Sequence, residues 1–448
     1  MKITIVGGGS TFTPGIVKSI VLRNKDLKVD EVVLYDIDKE RQDKVGVIVD
    51  YIIKECNVDT KLTLSNEPEE AFKDADFIFA QMRVGKYALR EQDEKIPLKH
   101  GCVGQETCGA GGLAYGLRTI FPMIEVIDYA NKYAKKDHWI LNYSNPAAIV
   151  SEACRRLRPD ARIINICDMP IAILDQIGQC LDINAHEMEY DYFGLNHFGW
   201  FTKLEYQGRD ILKEAKDYVI ENGTLLSKDI IQKIEQAKEA GIRHNDASWL
   251  KTWANMKTMV ELMPEYFPNS YLQYYLLSDL VVSQSNKDRT RANEVMDGRE
   301  SNLFKGVEKY LETGEMDKKT FYHGEHGNFI MDLAVALKND TGKKFLVIVE
   351  NKGTIPNLPY DAMVEVPAYI TKDGPQVISR EPIGDFYKGL IEEQLASEKL
   401  LVEGAITGSY QKVLEAFIVN KTIGSAHTAK AILDDMIEAN KDFWPTLK

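Results

Sequence analysis

The first dozen residues constrain the fold more than any other stretch. Lys2 to Val6 is an apolar run with strand character that leads straight into Gly7-Gly8-Gly9-Ser10-Thr11. A helix is predicted from near Pro14, with Ile16, Val17, Ile20 and Val21 at helical spacing. Strand, glycine turn and helix in that order open a dinucleotide-binding βαβ unit. Gly7 permits the tight turn, and Gly9 lets a pyrophosphate approach the helix N-terminus. Phe12 stands where a third glycine belongs, so the match is partial. Glu31 to Asp36 reads as a second strand ending in an acid suited to an adenosine ribose diol. That acid favours NAD over NADP, because a 2′-phosphate would be repelled; Arg41 argues the other way. A glycine turn with no cofactor is the alternative.

The alternation continues. A helix is expected from about Lys39 to Glu55, strands at Lys61 to Leu64 and Asp76 to Met82, and a helix from about Leu117 to Tyr133. Strands at Trp139 to Ser144 and Arg162 to Ile164 follow, each running into a helix. Gly-rich Val103 to Gly112 reads as a loop, either approaching a ligand or merely connecting. Three groups fall at carboxyl ends of strands, where open α/β sheets bind ligands: Lys86 and Arg90 after the fourth strand, Asn145 after the fifth, and Cys167-Asp168 after the sixth. A thiolate there can hold a metal and the adjacent carboxylate can carry a proton. Equally, Cys167 fits a buried thiol, Asp168 and Asn145 fit helix N-caps, and the cations fit a solvated surface.

Past residue 188 the pattern changes. Glu189 to Gly194 and Trp200 to Tyr206 alternate as strands around Leu195-Asn196-His197-Phe198-Gly199, so a boundary is placed near 195. His197 reads as a core histidine unless it partners Cys167. Residues 210 to 340 read as mainly helical, including a solvated helix from Lys228 to Gly241. Strands at Phe345 to Glu350 and Met363 to Tyr369, then helices, close the chain. Gly324-Glu325-His326-Gly327 resembles the catalytic-histidine turn of lactate and malate dehydrogenases but comes very late in the chain; a helix N-terminus explains it as well.

A length of 448 residues suits a large core and two lobes. The formal charge, 55 − 68 = −13, disfavours nucleic acid and anionic membranes as partners. Six cysteines without paired spacing, no signal-like leader and no membrane-length apolar run lead to an expected cytoplasmic, reduced protein.

These motifs together resemble glycoside hydrolase family 4. The matching residues are Gly7-Gly8-Gly9-Ser10-Thr11, Arg83-Val84-Gly85, Asn142 to Pro146, Cys167-Asp168-Met169-Pro170 and Asn196-His197-Phe198-Gly199. Asn269 to Leu272, Thr290 to Asn293 and Glu438 to Trp444 extend the resemblance along nearly the whole chain. Within the family, aspartate after the cysteine resembles the enzymes acting on α-linked 6-phosphoglucosides, whereas asparagine is common in those acting on β-linked ones. The resemblance implies an α/β fold: a Rossmann-type doubly wound NAD-binding domain over 1–195, and a mixed α+β domain over 196–448 for substrate, metal and oligomerisation. It implies Cys167 and His197 as ligands of Mn2+ or another divalent transition metal, Asp168 as proton donor and Tyr271 as proton acceptor. Arg90, Asn145 and Arg291 would bind a phosphorylated disaccharide such as maltose 6′-phosphate, and Gly7, Gly9, Ser10, Thr11 and Asp36 would bind NAD. A homodimer or homotetramer is expected. The implied reaction proceeds by C3 oxidation, C2 deprotonation, elimination, water addition and re-reduction, unlike the usual two-carboxylate glycosidase route. The competing classes are an NAD-dependent dehydrogenase of a sugar phosphate or hydroxy acid, which would consume NAD stoichiometrically, and a non-catalytic NAD sensor.

Overall fold

The computed structural model describes residues 1–239, 250–316 and 325–448. Thirteen strands are numbered in chain order: β1 Lys2–Val6, β2 Glu31–Tyr35, β3 Lys61–Ser65, β4 Phe77–Ala80, β5 Trp139–Asn142, β6 Ile163–Asn165, β7 Met188–Leu195, β8 Phe198–Tyr206, β9 Arg209–Asp210, β10 Phe267–Pro268, β11 Lys343–Glu350, β12 Met363–Thr371 and β13 Gly374–Val377. Six of them form a parallel sheet in the order β3-β2-β1-β4-β5-β6, the doubly wound dinucleotide-binding order, with its switch point between β1 and β4. The inner strands are apolar on both faces because helices cover both faces: Ile3, Ile5, Val32, Leu34, Ile78, Phe79, Ile140 and Leu141 are fully buried.

Beyond β6 the sheet continues antiparallel through β11, β12 and β13, giving nine strands. The expected division at 195/196 falls in the turn of the β7–β8 hairpin, which belongs to a second, smaller sheet with β9 and β10. The C-terminal part therefore builds its own sheet and also extends the Rossmann-like one. Its aromatic core includes Phe193, Trp200, Phe201, Trp253 and Phe267.

Two expectations change. The helix expected from Leu117 starts at Gly109 and runs to Tyr133. The glycines here serve close packing rather than a loop: a Cβ on Gly111 would lie 2.3 Å from the Gln105 carbonyl oxygen. The stretch after β4 is helical over Lys86–Lys99; it buries Arg90 and leaves Lys86 exposed, so the solvated-surface alternative holds for Lys86 and not for Arg90. The helix expected to Gly241 is described over Lys228–Glu239, and residues 240 and 241 lie outside the described residues. So do Gly324 and the side chains of Glu325 and His326; the helix Glu325–Asn339 begins there. No helix among the described residues is long and apolar enough to cross a membrane.

Candidate active site

The turn after β1 is tight and closely packed. Gly7 has φ +77°, and a Cβ there would stand 2.9 Å from Met82 Cα. The Gly9 N–H donates to Asp36 Oδ2 at 2.8 Å, so the acid ending β2 is held against the glycine turn. Arg41 is committed elsewhere: its Nε donates to the Gly9 carbonyl at 2.7 Å and its guanidinium pairs with Glu300. Thr11 Oγ1 and Gln81 Oε1 are buried with no hydrogen-bond partner among the described residues. Orphaned polar atoms beside a glycine turn, with an acid at the next strand end, fit a dinucleotide.

At the end of β6, Cys167 meets His197, with Sγ and Nε2 3.3 Å apart. His197 is the second residue of the two-residue turn joining β7 to β8 and holds φ +63°, a strained backbone conformation that turns its ring toward Cys167. Two donors on one divalent ion, with bonds of ~2.3 Å to sulfur and ~2.0–2.1 Å to nitrogen, lie about 3.1–3.6 Å apart. The observed separation fits. No group of three or more His, Cys, Asp or Glu able to hold a metal occurs among the described residues. Two protein donors would leave positions on a divalent ion open for ligands from outside the described residues.

Burial shapes the protonation here. It pushes the Cys167 thiol well above its ordinary value, helped by the nearby Glu365 and Asp168 carboxylates. It pushes His197 down to about 4 against the pull of Asp168 and Glu106. Tyr271 rises well above 10, through burial and then its neighbour Tyr274. Its ring centroid lies 4.5 Å from that of His197. Without a cation, thiol, imidazole and phenol all rest neutral. A divalent ion favours the thiolate and the phenolate, which is the chemistry the donor set fits. Asp168 stands at the N-cap position of the helix Met169–Leu181, yet its side chain makes no capping hydrogen bond. The cap at Asn145's helix, Ala147–Leu157, falls on Pro146 instead. Asn145 itself lies half-buried just ahead of that helix.

A cation cluster adjoins this group. Arg90, 6% exposed, donates from Nε to Glu94 at 2.9 Å and pairs with Glu106 at 3.1 Å. Arg291 pairs with Glu294 at 3.2 Å, and burial followed by repulsion from Arg90 lowers its pKa. Glu94 also accepts the Ala292 N–H at 2.8 Å, fixing Arg291's turn beside Arg90. Sequence reasoning missed Arg299, whose guanidinium lies 4.1 Å over the Phe12 ring while its Nε is buried without an acceptor. It missed Glu106 too, which pairs with both Arg83 and Arg90 and acts electrostatically on His197 and Tyr271. The one available signal was Glu106 lying within the glycine-rich segment. Crowded arginines with an orphaned N–H fit an anion.

The fold and this site define a family. The chain matches the family 4 glycosyl hydrolase model over residues 2–183 and the model of that family's C-terminal domain over 192–423, and it belongs to that family. A maltose-6′-phosphate glucosidase of Fusobacterium mortiferum is 46% identical over 449 residues, covering 100% of this chain and 99% of that protein. A 6-phospho-α-glucosidase from gut microorganisms, solved with NAD and glucose 6-phosphate, superposes with a TM-score of 0.95 at 48% identity, over 100% of this chain and 99% of that one. Another, solved with NAD and Mn2+, gives a TM-score of 0.93 at 43% identity over the same shares of the two chains.

Proposed function

We propose that this chain hydrolyses α-linked 6-phosphoglucosides, maltose 6′-phosphate and related phosphorylated disaccharides, releasing glucose 6-phosphate, with NAD and Mn2+ or another divalent transition metal as cofactors. The observation that carries this reading is the meeting of Cys167, His197 and Tyr271 beside buried Arg90 and half-buried Arg291, at the carboxyl edge of a dinucleotide-binding sheet. The activities named for full-length relatives at 43–46% identity support the substrate class.

When bound, NAD supplies reversible oxidation at C3 and the metal supplies Lewis acidity, which together acidify the sugar's C2–H. Gly7, Gly9, Ser10, Thr11 and Asp36 hold the dinucleotide, and the commitment of Arg41 to Gly9 and Glu300 favours NAD over NADP. Cys167 and His197 hold the metal. Tyr271 takes the C2 proton, and Asp168 gives a proton to the oxygen leaving C1. Arg90, Asn145 and Arg291 hold the 6-phosphate. On this reading residues 1–195 carry the cofactor and 196–448 complete the substrate and metal site. A cytoplasmic homodimer or homotetramer without nucleic-acid partners accords with the charge of −13 and the cysteine usage.

The test is hydrolysis of a phosphorylated chromogenic α-glucoside with and without NAD and Mn2+. Turnover requiring both, with no net NADH, is expected; stoichiometric NADH formation would instead mark a dehydrogenase.

A further inference from the structure

Glu365 is a fully buried carboxylate on β12 to which the mechanism above gives no task. It sits where the nine-stranded sheet packs against β7 of the smaller one, and two chains of polar contacts leave it. In one, Asn196 Nδ2 donates to Glu365 Oε1 at 3.2 Å, and Asn196 is also a neighbour that favours the Cys167 thiolate against the burial that raises its pKa. Asn196 immediately precedes His197 in the hairpin turn. In the other, the Tyr192 hydroxyl lies against the carboxylate, although Oε2 has no well-aligned donor. That hydroxyl accepts from Asn269 Nδ2 at 3.1 Å, and Asn269 Oδ1 accepts the Tyr271 backbone N–H at 3.0 Å.

We infer that Glu365 is a positioning residue that sets the metal-ligand turn through Asn196 and the Tyr271 turn through Tyr192 and Asn269, keeping the metal and the base in register. The inference rests on the ligand and base roles proposed above. A buried carboxyl group, protonated or not, is costly unless its partners satisfy it, so a purely structural position would be served better by an apolar residue. Here both arms run toward reacting groups. Groups that orient metal ligands in this way change metal affinity by ~10–100-fold when removed.

The test uses the full chain with NAD present and reads Mn2+ affinity from the electron paramagnetic resonance of free Mn2+, beside kcat and KM. Glu365→Gln is expected to raise the Mn2+ Kd by ~10-fold and to lower kcat as well. Asn196→Ala, which cuts only the arm to Cys167, is expected to raise the Mn2+ Kd. Tyr192→Phe, which cuts only the arm to Tyr271, is expected to lower kcat while Mn2+ Kd and KM stay put. A folded Glu365→Gln protein with Mn2+ Kd within twofold of the parent overturns the inference. Should that variant not fold, the two single-arm variants decide, and the absence of a split between Kd and kcat overturns it. If the parent does not bind Mn2+, or Cys167→Ser binds it equally well, the metal assignment itself fails and this inference goes with it.

Discussion

Glu398 gives a sharp prediction because its environment is legible. It lies in the long helix Asp385–Thr407, fully enclosed, with Gln394 Nε2 donating to Oε1 at 2.8 Å. It shares with Gln394 and Tyr275 a cavity of about 10 Å³, room for at most one water. Burial, against the help of the Gln394 hydrogen bond and with repulsion from Glu152, raises its pKa from 4.5 to about 8. The folded state therefore binds a proton between pH 4.5 and 8 that the unfolded state has released, so stability falls as pH rises through that window. A gap of three to four decades in proton affinity corresponds to about 5 kcal/mol when fully expressed, of which about 4 kcal/mol develops between pH 5 and pH 9. Glu398→Gln keeps shape and hydrogen-bonding capacity but cannot ionise. Equilibrium urea unfolding of parent and variant at both pH values cancels every other titration. The variant is expected to gain on the parent by up to that amount at pH 9 relative to pH 5. Stability differences that agree within about 1 kcal/mol at the two pH values would refute a buried, neutral Glu398.

Cys167→Ser is expected to abolish activity by weakening Mn2+ binding, seen as loss of Mn2+-induced thermal stabilisation; unchanged stabilisation would remove Cys167 from the ligand set. Arg291→Ala should raise KM for a 6-phosphoglucoside while barely affecting the already poor turnover of the unphosphorylated sugar. One charge-assisted bond is worth roughly 1.5–3 kcal/mol, or about 10- to 150-fold in binding. Turnover in D2O should place deuterium at C2 of the released glucose 6-phosphate, as displacement at C1 by two carboxylates would not. Tyr271→Phe should suppress that turnover with NAD and Mn2+ binding intact, and an unimpaired variant would move the base elsewhere.

The parts of the fold written locally were readable. The β1 turn, Asp36 at the end of β2 and Cys167 after β6 follow from strand ends and turn chemistry, and the structure places all three at one edge of the parallel sheet. Tyr271 was identifiable only through motif resemblance, and His197 only as a conditional partner of Cys167, because their meeting depends on packing between separate elements. Long-range pairings were invisible for the same reason. The register Ile348 to Asn165, which adds β11 to the sheet, and the Asn196–Glu365 hydrogen bond join residues far apart in sequence, 169 positions in the second case. The start of the Gly109 helix was misread because glycines that admit close backbone packing look, in sequence, like glycines that loosen a loop.

Charge shows why composition alone misleads about the substrate. A chain of net charge −13 repels anions at long range, so a phosphate must be captured by local geometry. The cluster holds Arg83, Arg90, Arg291 and Arg299 against Glu94, Glu106 and Glu294, a local sum of 4 − 3 = +1. The carboxylates cancel positive charge, but each ties a guanidinium in place: Glu106 joins Arg83 to Arg90, and Glu94 joins Arg90 to the Arg291 turn. Preorganised arginines lose little side-chain freedom when an anion arrives, and the orphaned Arg299 Nε still has a bond to give. If these arginines hold the 6-phosphate as proposed, specificity for the phosphorylated sugar rests on donors fixed by local ion pairs rather than on the field of the whole protein.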